Sequence, residues 1–178
     1  MIKVSDFIVK FLERKKVKHV FGITGGGAMH LNDSFGKSKK FKYIMNHHEQ
    51  AAAMAAEGYS RVKKRIGVLQ VTTGPGGTNS ITGVASAWLD SIPLLIISGQ
   101  VATKDMIKKR GVRQIGVQEI NIVDIVKPIT KYAKTILKPE HLPYELEKAY
   151  ELALSGRPGP TWIDIPLDIQ AATFNEKR

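Results

Sequence analysis

The sequence contains no cysteine, which excludes disulfides, thiolate metal ligands and cysteine nucleophiles within this chain. It also lacks a long hydrophobic run: the run near IPLLII at 92–97, for example, is far shorter than the roughly 20 residues that span a bilayer. The segment MIKVSDFIVKF at the amino terminus lacks the basic-then-apolar layout of a signal peptide. We therefore expect a cytoplasmic protein without a membrane partner.

Acidic residues are outnumbered, since 16 Asp and Glu stand against 27 Lys and Arg and give a formal net charge of +11. A basic surface can serve nucleic acid, an acidic substrate or no ligand at all. Three basic clusters lie between predicted elements, where solvated turns are expected. We therefore predict no nucleic-acid partner. The clusters are Lys37, Lys39, Lys40 and Lys42; Lys63, Lys64 and Arg65; and Lys108, Lys109 and Arg110.

The length of 178 residues and the hydrophobic fraction of 43% indicate one domain with a full core. Short apolar runs alternate with segments of helical period, which predicts an α/β fold: an open, mostly parallel six-stranded sheet with helices on both faces. The predicted strands are 18–22, 41–46, 66–72, 94–98, 129–133 and 161–165. The predicted helices lie near 4–15, 27–36, 49–62, 77–89, 117–125 and 140–155. We expect the domain to cover 1–170 and a linker to begin over 171–178.

Two glycine-rich turns follow predicted strands, GITGGGAM at 22–29 and TTGPGGTN at 72–79. Ligands of open parallel sheets bind beyond the carboxyl ends of the strands, where glycines allow a close backbone approach. Neither turn matches a phosphate-binding motif, because GITGGG departs from G-x-G-x-x-G. Close packing and ligand binding both remain open for these turns.

Glu49 stands at the start of a helix that consists largely of alanine, in HHEQAAAMAAEGYSR at 47–61. An acidic residue in a first helical turn is favoured by the helix dipole, by roughly 0.3 to 1 kcal/mol. The small side chains also allow another surface to pack very close, and a carboxylate desolvated in this way becomes suited to proton transfer. The residues alone leave both interpretations open.

Other polar residues give weaker signals. His47 and His48 are adjacent and would point to opposite faces of a strand, so structural roles are favoured over a shared metal. Asp90 and Asp164 are interpreted as caps or loop anchors beside turns. No G-x-S-x-G elbow occurs, which removes the usual hydrolase of this architecture.

Several segments together resemble the N-terminal pyrimidine-binding domain of thiamine-diphosphate-dependent enzymes, and above all the acetolactate synthase group with its polysaccharide-biosynthesis relatives. The most specific pair is H-E-x-x-A-x-x-A-A-E-G-Y followed by T-x-G-P-G-x-T-N. The resemblance covers nearly the whole chain. The segments are VFGITGGGAM, NHHEQAAAMAAEGYSR, VTTGPGGTNSITGVASAWLDSIPLLIISGQ, KPITKY and SGRPGPTWIDIPLDIQ.

The resemblance implies that Glu49 is catalytic: it hydrogen-bonds N1′ of the aminopyrimidine and relays the proton that leaves thiazolium C2. The activated cofactor then attacks a 2-keto acid substrate. The alanine helix is implied to pack at a subunit interface, in a homodimer or homotetramer with the cofactor between two chains. The implied contacts to the pyrimidine are Ile23, Thr24, Gly26 and Gly27 in the first turn, Thr72, Pro75 and Asn79 in the second, and Gln118 in VQEINIV.

The chain departs from acetolactate synthases at several positions. These enzymes have Tyr-Pro where this chain has Ile23 and Thr24, and Pro and Tyr where it has His30 and Asn32. The aromatic residue expected before Gln118 is Val117. These positions lie on the wall beside the reacting centre. The resemblance therefore predicts the cofactor but leaves the donor and acceptor substrates open.

No G-D-G motif occurs in the chain, whereas the family holds the diphosphate and its Mg²⁺ in a separate C-terminal domain that carries one. We therefore expect no metal ligand in this chain and an N-terminal fragment that is inactive alone. The alternatives are a non-catalytic dimerisation domain and a separate subunit of a split 2-keto acid decarboxylase. FAD is compatible with the resemblance, but nothing in this chain indicates it.

Overall fold

The computed structural model describes residues 1–107 and 111–176, so the basic cluster at 108–110 lies outside the described residues. Within them the chain forms eight strands and eight α-helices. The strands are β1 (Ile2–Lys3), β2 (His19–Gly22), β3 (Lys42–Met45), β4 (Gly67–Val71), β5 (Leu94–Gln100), β6 (Tyr132–Thr135), β7 (Pro160–Pro166) and β8 (Thr173–Phe174). The α-helices are α1 (Val4–Arg14), α2 (Met29–Lys37), α3 (Glu49–Lys63), α4 (Pro75–Asn79), α5 (Ile81–Leu89), α6 (Ile122–Val126), α7 (Leu142–Leu154) and α8 (Leu167–Ala171).

Six strands form one sheet in the order β3-β2-β4-β5-β7-β6, and every neighbouring pair is parallel. Successive side chains of a strand point to opposite faces. Leu95 of β5 accordingly packs into a core shared with α1, α2 and α7, while Ile96 packs into a core shared with α3, α5 and α6. Helices therefore cover both faces of the sheet, which confirms the predicted fold class.

Three predicted elements have different bounds in the structure. The strand expected at 129–133 is Tyr132–Thr135, because a 3₁₀ turn with Pro128 in its first positions occupies Lys127–Ile129. The helix expected at 117–125 is limited to Ile122–Val126, because Gln118 has a left-handed φ of 59° that an α-helix does not accept. The helix expected at 77–89 is divided at Ser80, whose hydroxyl donates to the carbonyl of Gly77 at 2.7 Å.

The two ends of the described chain meet. β1 pairs antiparallel with β8, with Ile2 opposite Phe174 and Lys3 opposite Thr173. The Phe174 ring lies 5.3 Å from that of Phe7, edge to face. Thr173 and Phe174 thus pack onto the first helix, while the predicted division into a domain over 1–170 and a linker over 171–178 stays a prediction.

The small residues of α3 serve contacts within the chain. A Cβ atom on Gly83 of α5 would lie 2.6 Å from the Cβ of Ala53, and a Cβ on Gly67 of β4 would lie 2.3 Å from the carbonyl oxygen of Ala56. Ala53 and Ala56 are completely buried. Part of the alanine pattern is therefore explained by α3 packing on its own sheet and on α5, before any second chain is considered.

The loops that follow β2, β3, β4 and β5 all leave the sheet at one edge, because parallel strands place their carboxyl ends together. This edge carries both glycine-rich turns and Glu49. No helix in the described parts of the chain is long and apolar enough to cross a membrane. The cytoplasmic location stays a prediction.

Candidate functional site

Glu49 is the first residue of α3, directly beyond the carboxyl end of β3. The preceding residue, His48, caps the helix: its Nδ1 accepts a hydrogen bond of 3.1 Å from the backbone N–H of Gln50. This confirms a structural role for His48. The Glu49 carboxylate accepts a hydrogen bond of 3.0 Å at Oε2 from the side-chain amide of Asn79, at the end of α4. The chain by itself buries Glu49 only partly, so the expected desolvation stays a prediction.

The second glycine turn is pressed against the segment that contains Gln118. Gly74 has φ of 57°, in the left-handed region, and caps α4, whose first residue is Pro75. A Cβ atom on Gly74 would lie 2.0 Å from the carbonyl oxygen of Gln118. Only glycine fits here, and its absence of a side chain brings the 72–79 turn and Gln118 into contact.

Thr72 lies among glycines of both turns. A Cβ atom would lie 2.4 Å from the Thr72 side chain if built on Gly25, 2.6 Å if built on Gly76 and 3.2 Å if built on Gly27. The Thr72 hydroxyl oxygen is buried and has no hydrogen-bond partner among the residues that the structure describes. Buried hydroxyls are normally satisfied, so this atom marks a place where a polar ligand group would be accepted.

The first glycine turn leaves open space in front of Gly26. A Cβ atom on Gly26 would meet nothing within 4 Å, although the neighbouring Gly25 and Gly27 are in tight contact with Thr72 and Thr73. Asn32 of α2 fixes the turn from behind by donating to the Gly25 carbonyl at 3.1 Å, and its own Oδ1 is buried without a described partner. The first turn is thus held by Asn32 on one side, and on the other side the space in front of Gly26 is open to a ligand.

The structure brings most of the predicted site residues to this edge. Glu49 and Asn79 touch directly, Thr72 contacts both turns, and Gly26 and Gly27 line the first turn. Pro75 is exposed at the start of α4. Ile23 and Thr24 follow β2 at the rim, half-buried and exposed respectively, and the Gln118 side chain is exposed. The role of each in binding stays a prediction.

Three residues that each form several hydrogen bonds near this edge were not identified as functional from the sequence. Glu119, next to Gln118, accepts hydrogen bonds from the backbone N–H groups of Ile107, Ile115 and Gly116. Gln100 is buried at the carboxyl end of β5, and Asp164 is buried within β7. A polar residue inside an otherwise apolar strand was the available signal for the last two.

The interpretation of Asp164 as a cap or loop anchor beside a turn is wrong. Asp164 lies within β7 and is 1% exposed, and its carboxylate accepts hydrogen bonds from side chains of the two neighbouring strands. Asp164 lies in the middle of a strand that is paired on both sides, with β5 and with β6, and this position buries the residue in the core. Asp90, in contrast, does anchor a loop, since it follows α5 and forms an ion pair with Arg61 of α3.

Exchanging Gly25 for alanine is expected to destabilise the chain by about 1–3 kcal/mol, because the new methyl group must displace the Thr72 side chain. The clash involves the Cβ atom of Thr72, which cannot rotate away. Gly26→Ala is the matched control: it adds the same methyl group one residue later, into open space, and should change the free energy of unfolding by no more than about 0.5 kcal/mol. Urea denaturation of both variants measures the difference. Equal stabilities would contradict the packing described for Thr72.

Comparison with known proteins connects this edge to a family. Residues 2–125 match the family described as "Thiamine pyrophosphate enzyme, N-terminal TPP binding domain". The acetolactate synthase isozyme 3 large subunit of Escherichia coli is 40% identical over 169 residues, which are 95% of this chain and 28% of that protein. The mitochondrial acetolactate synthase of Schizosaccharomyces pombe is 42% identical over 163 residues, 92% of this chain and 24% of that protein.

A third relative comes from an archaeon. The probable acetolactate synthase large subunit of Methanocaldococcus jannaschii is 41% identical over 169 residues, 95% of this chain and 27% of that protein. The chain therefore spans about a quarter of the length of the relatives that it matches.

Proposed function

Since this chain belongs to the thiamine pyrophosphate enzyme family, as a member of its N-terminal TPP binding domains, we propose that it forms the pyrimidine-binding half of a carboligase or decarboxylase acting on a 2-keto acid. The observation that carries the proposal is the Glu49 carboxylate, held by Asn79 at 3.0 Å beside the two glycine turns. A scaffold that only dimerises needs no carboxylate at this position.

The residues present fit the aminopyrimidine of thiamine diphosphate. The ring offers hydrogen-bonding nitrogen atoms and flat faces, and the edge offers the unpartnered Thr72 hydroxyl and the open space before Gly26. Gly26, Gly27, Thr72, Pro75, Asn79 and Gln118 would hold the ring, with Ile23 and Thr24 at its rim. When bound, thiamine diphosphate supplies an electron sink that accepts the electrons released as a 2-keto acid loses carbon dioxide.

Glu49 is suited to hold a proton at a fixed place. Its Oε2 receives the Asn79 amide, which orients the carboxylate, while its Oε1 lies toward Gly76 and accepts no hydrogen bond from any described residue. A ring nitrogen that approaches over the glycine turn can share a proton with this second oxygen. Closure of the site by another chain would remove water from Glu49 and favour that sharing.

We propose an acetolactate synthase-like ligation for the complete protein, because the relatives named above are acetolactate synthases. His30 and Asn32 stand where those enzymes were expected to have Pro and Tyr. In this structure burial lowers the pKa of His30, with help from the nearby charge of Lys3, so the imidazole is neutral at neutral pH. His30 adds a neutral imidazole to this wall, which favours a substrate with more hydroxyl groups than a simple keto acid, while the Asn32 amide is already engaged by the Gly25 carbonyl.

The proposal includes further domains and a second chain. A C-terminal domain would bind the diphosphate with Mg²⁺, and a homodimer or homotetramer would close the site. The exposed faces of β3, α3 and α5 support a partner surface, because they present large apolar side chains to solvent. Met45 is 46% exposed, Met54 44%, Trp88 38% and Leu89 71%.

The test compares this chain with the protein encoded by its complete reading frame. We expect the isolated 178-residue chain to release no carbon dioxide from pyruvate with thiamine diphosphate and Mg²⁺. The product of the frame that continues beyond codon 178 should contain G-D-G with an Asn roughly 30 residues later and should decarboxylate 2-keto acids. Turnover by the isolated chain, or an inert complete product without G-D-G, would contradict the proposal.

A further inference from the structure

Asp164 is a buried carboxylate that three strands share. Its Oδ1 accepts a hydrogen bond of 2.6 Å from Ser98 of β5, and its Oδ2 accepts bonds of 3.2 Å each from Gln100 of β5 and Thr135 of β6. Trp162 of β7 donates to the same Ser98 hydroxyl at 2.7 Å. The donors are positioned by the sheet itself, since Ser98 and Thr135 both lie in register with Asp164.

Gln100 extends this network to the two segments of the candidate site. Its Nε2 also donates to the Ile120 carbonyl at 2.9 Å, two residues after Gln118. Its Oε1 accepts from the Thr73 hydroxyl at 2.7 Å and from the Val101 N–H at 3.0 Å. One buried amide therefore ties the 72–79 turn, the 118–120 segment and Asp164 together, and Gln100 is only 2% exposed.

We propose that Asp164 is a positioning residue: through Gln100 it sets where the Thr72–Thr73 turn and the Gln118–Ile120 segment stand relative to each other. The inference rests on the proposed function, because these two segments carry the predicted contacts to the aminopyrimidine. Asp164 is not itself one of the predicted contacts to that ring. Gln100 and then Thr73 link its carboxylate to the turn. Thr73 transmits the position to the first turn as well, because a Cβ atom on Gly27 would lie 2.8 Å from its methyl group.

The charge of Asp164 makes the network responsive to pH. Burial raises the pKa of this carboxyl to about 6, although the hydrogen bonds from Ser98, Gln100 and Thr135 oppose the shift. No charged group of the described residues contributes to the shift; the other carboxylates that line the adjacent cavity of about 450 Å³ are Glu119 and Asp124. The folded chain binds this proton more tightly than the unfolded chain, so the contribution of Asp164 to stability falls as pH rises from 3.8 to about 6.

A buried polar cluster that only stabilises the fold would have the same hydrogen bonds. A comparison of Thr135 with Thr73 distinguishes such a structural role from a positioning role. Thr135 and Thr73 each make one side-chain hydrogen bond to the network, yet only Thr73 lies on the path from Asp164 to the site. Thr135→Val and Thr73→Val remove one hydroxyl each and keep the side-chain shape. The two variants thus form a matched pair, one off the path and one on it.

The experiment is a pH titration of the 178-residue chain, followed by ¹H–¹⁵N correlation spectra between pH 4.5 and 8. The reporters are two amides whose hydrogen bonds lie in the linked segments: Gly76 N–H, bonded to the Thr73 carbonyl, and Ile122 N–H, bonded to the Ile120 carbonyl. In the wild type both should shift with a midpoint of about 6. Asp164→Asn, which keeps the shape and removes the titrating proton, should abolish both responses.

The threonine pair then distinguishes transmission from simple stability. Thr73→Val should abolish the response of Gly76 and keep that of Ile122, because the link through Ile120 remains. Thr135→Val should keep both responses and raise their midpoint, since a donor that favours the charged carboxylate is lost. Loss of both responses in Thr135→Val, or responses that persist in Asp164→Asn, would overturn the inference.

A second arm uses 4-amino-5-hydroxymethyl-2-methylpyrimidine as the probe. Thr73→Val should weaken its binding about tenfold, whereas Thr135→Val should leave it within twofold of the wild type. If neither the 178-residue chain nor the assembled complete protein binds the probe, the proposed function fails, while the pH titration still decides the role of Asp164. If the probe binds but the reporters do not titrate, the positioning role fails alone.

Discussion

Replacement of Glu49 by glutamine in the complete enzyme is expected to lower kcat by about 10²–10⁴-fold. Glutamine keeps the shape of the side chain and can still accept the hydrogen bond from Asn79, which holds Glu49 at 3.0 Å. It can also donate a hydrogen bond to a ring nitrogen, but it cannot take up or release a proton at neutral pH. The loss should therefore appear in kcat, with only a small change in the affinity for thiamine diphosphate.

The fold should tolerate this substitution. Glu49 is an acidic residue in the first turn of α3, where the helix dipole is worth roughly 0.3–1 kcal/mol. Glu151→Gln serves as the control, because it makes the same chemical change at an exposed residue of α7 that is paired with Lys15. We expect the control to keep full activity. Near-normal kcat for Glu49→Gln would show that the carboxylate acts only as a helix-terminal charge.

The largest expected effect on stability comes from Gly99→Ala. A Cβ atom on this residue of β5 would lie 2.1 Å from the carbonyl oxygen of Gly27 and 2.8 Å from the Cα of Ala28. Both obstacles are backbone atoms, so the first glycine turn as a whole must move away from the sheet. We expect a loss of about 3 kcal/mol, at the upper end of the usual cost of overpacking, measured by urea denaturation.

Displacement of the turn should also impair the site, because the carbonyl of Gly27 is held in place by the Gln170 amide at 2.8 Å. Gly36→Ala is the matched control. Gly36 lies inside α2 and a Cβ there meets nothing within 4 Å, so the same change should stabilise the helix by roughly 0.5–1 kcal/mol. A Gly99→Ala variant as stable as the wild type would mean that the turn is not pressed onto β5.

The sheet could be predicted from the sequence because its central strands are buried on both faces. The run around Leu95 is continuously apolar and the one around Ile163 is interrupted by Asp164, and such runs between helical segments are typical of parallel strands. The carboxyl ends of the predicted parallel strands lie together, which placed the glycine turns and Glu49 at one edge of the sheet. This edge follows from topology alone, which explains why the site was found without a matching phosphate motif.

The contacts that complete the site could not be predicted in the same way. Whether Asp164 faces solvent or three hydrogen-bond donors depends on the register of β5, β6 and β7, and register is a property of the assembled sheet. The contacts of Glu119 could not be predicted either, because its partners are backbone N–H groups of a loop that has no periodic pattern. The left-handed backbone of Gln118 gave no signal either, since the position is not occupied by glycine or asparagine.

The pairing of β1 with β8 determines how the domain responds to mechanical force. Because Ile2 and Phe174 form the outer rung of an antiparallel pair, the chain enters and leaves the domain at one corner. Tension applied between the two ends would open this pair one rung at a time, which is the weak direction of a β ladder, before it reached the six-stranded sheet. A pull on the two ends would thus act first on this four-residue pair and only afterwards on the edge that carries Glu49.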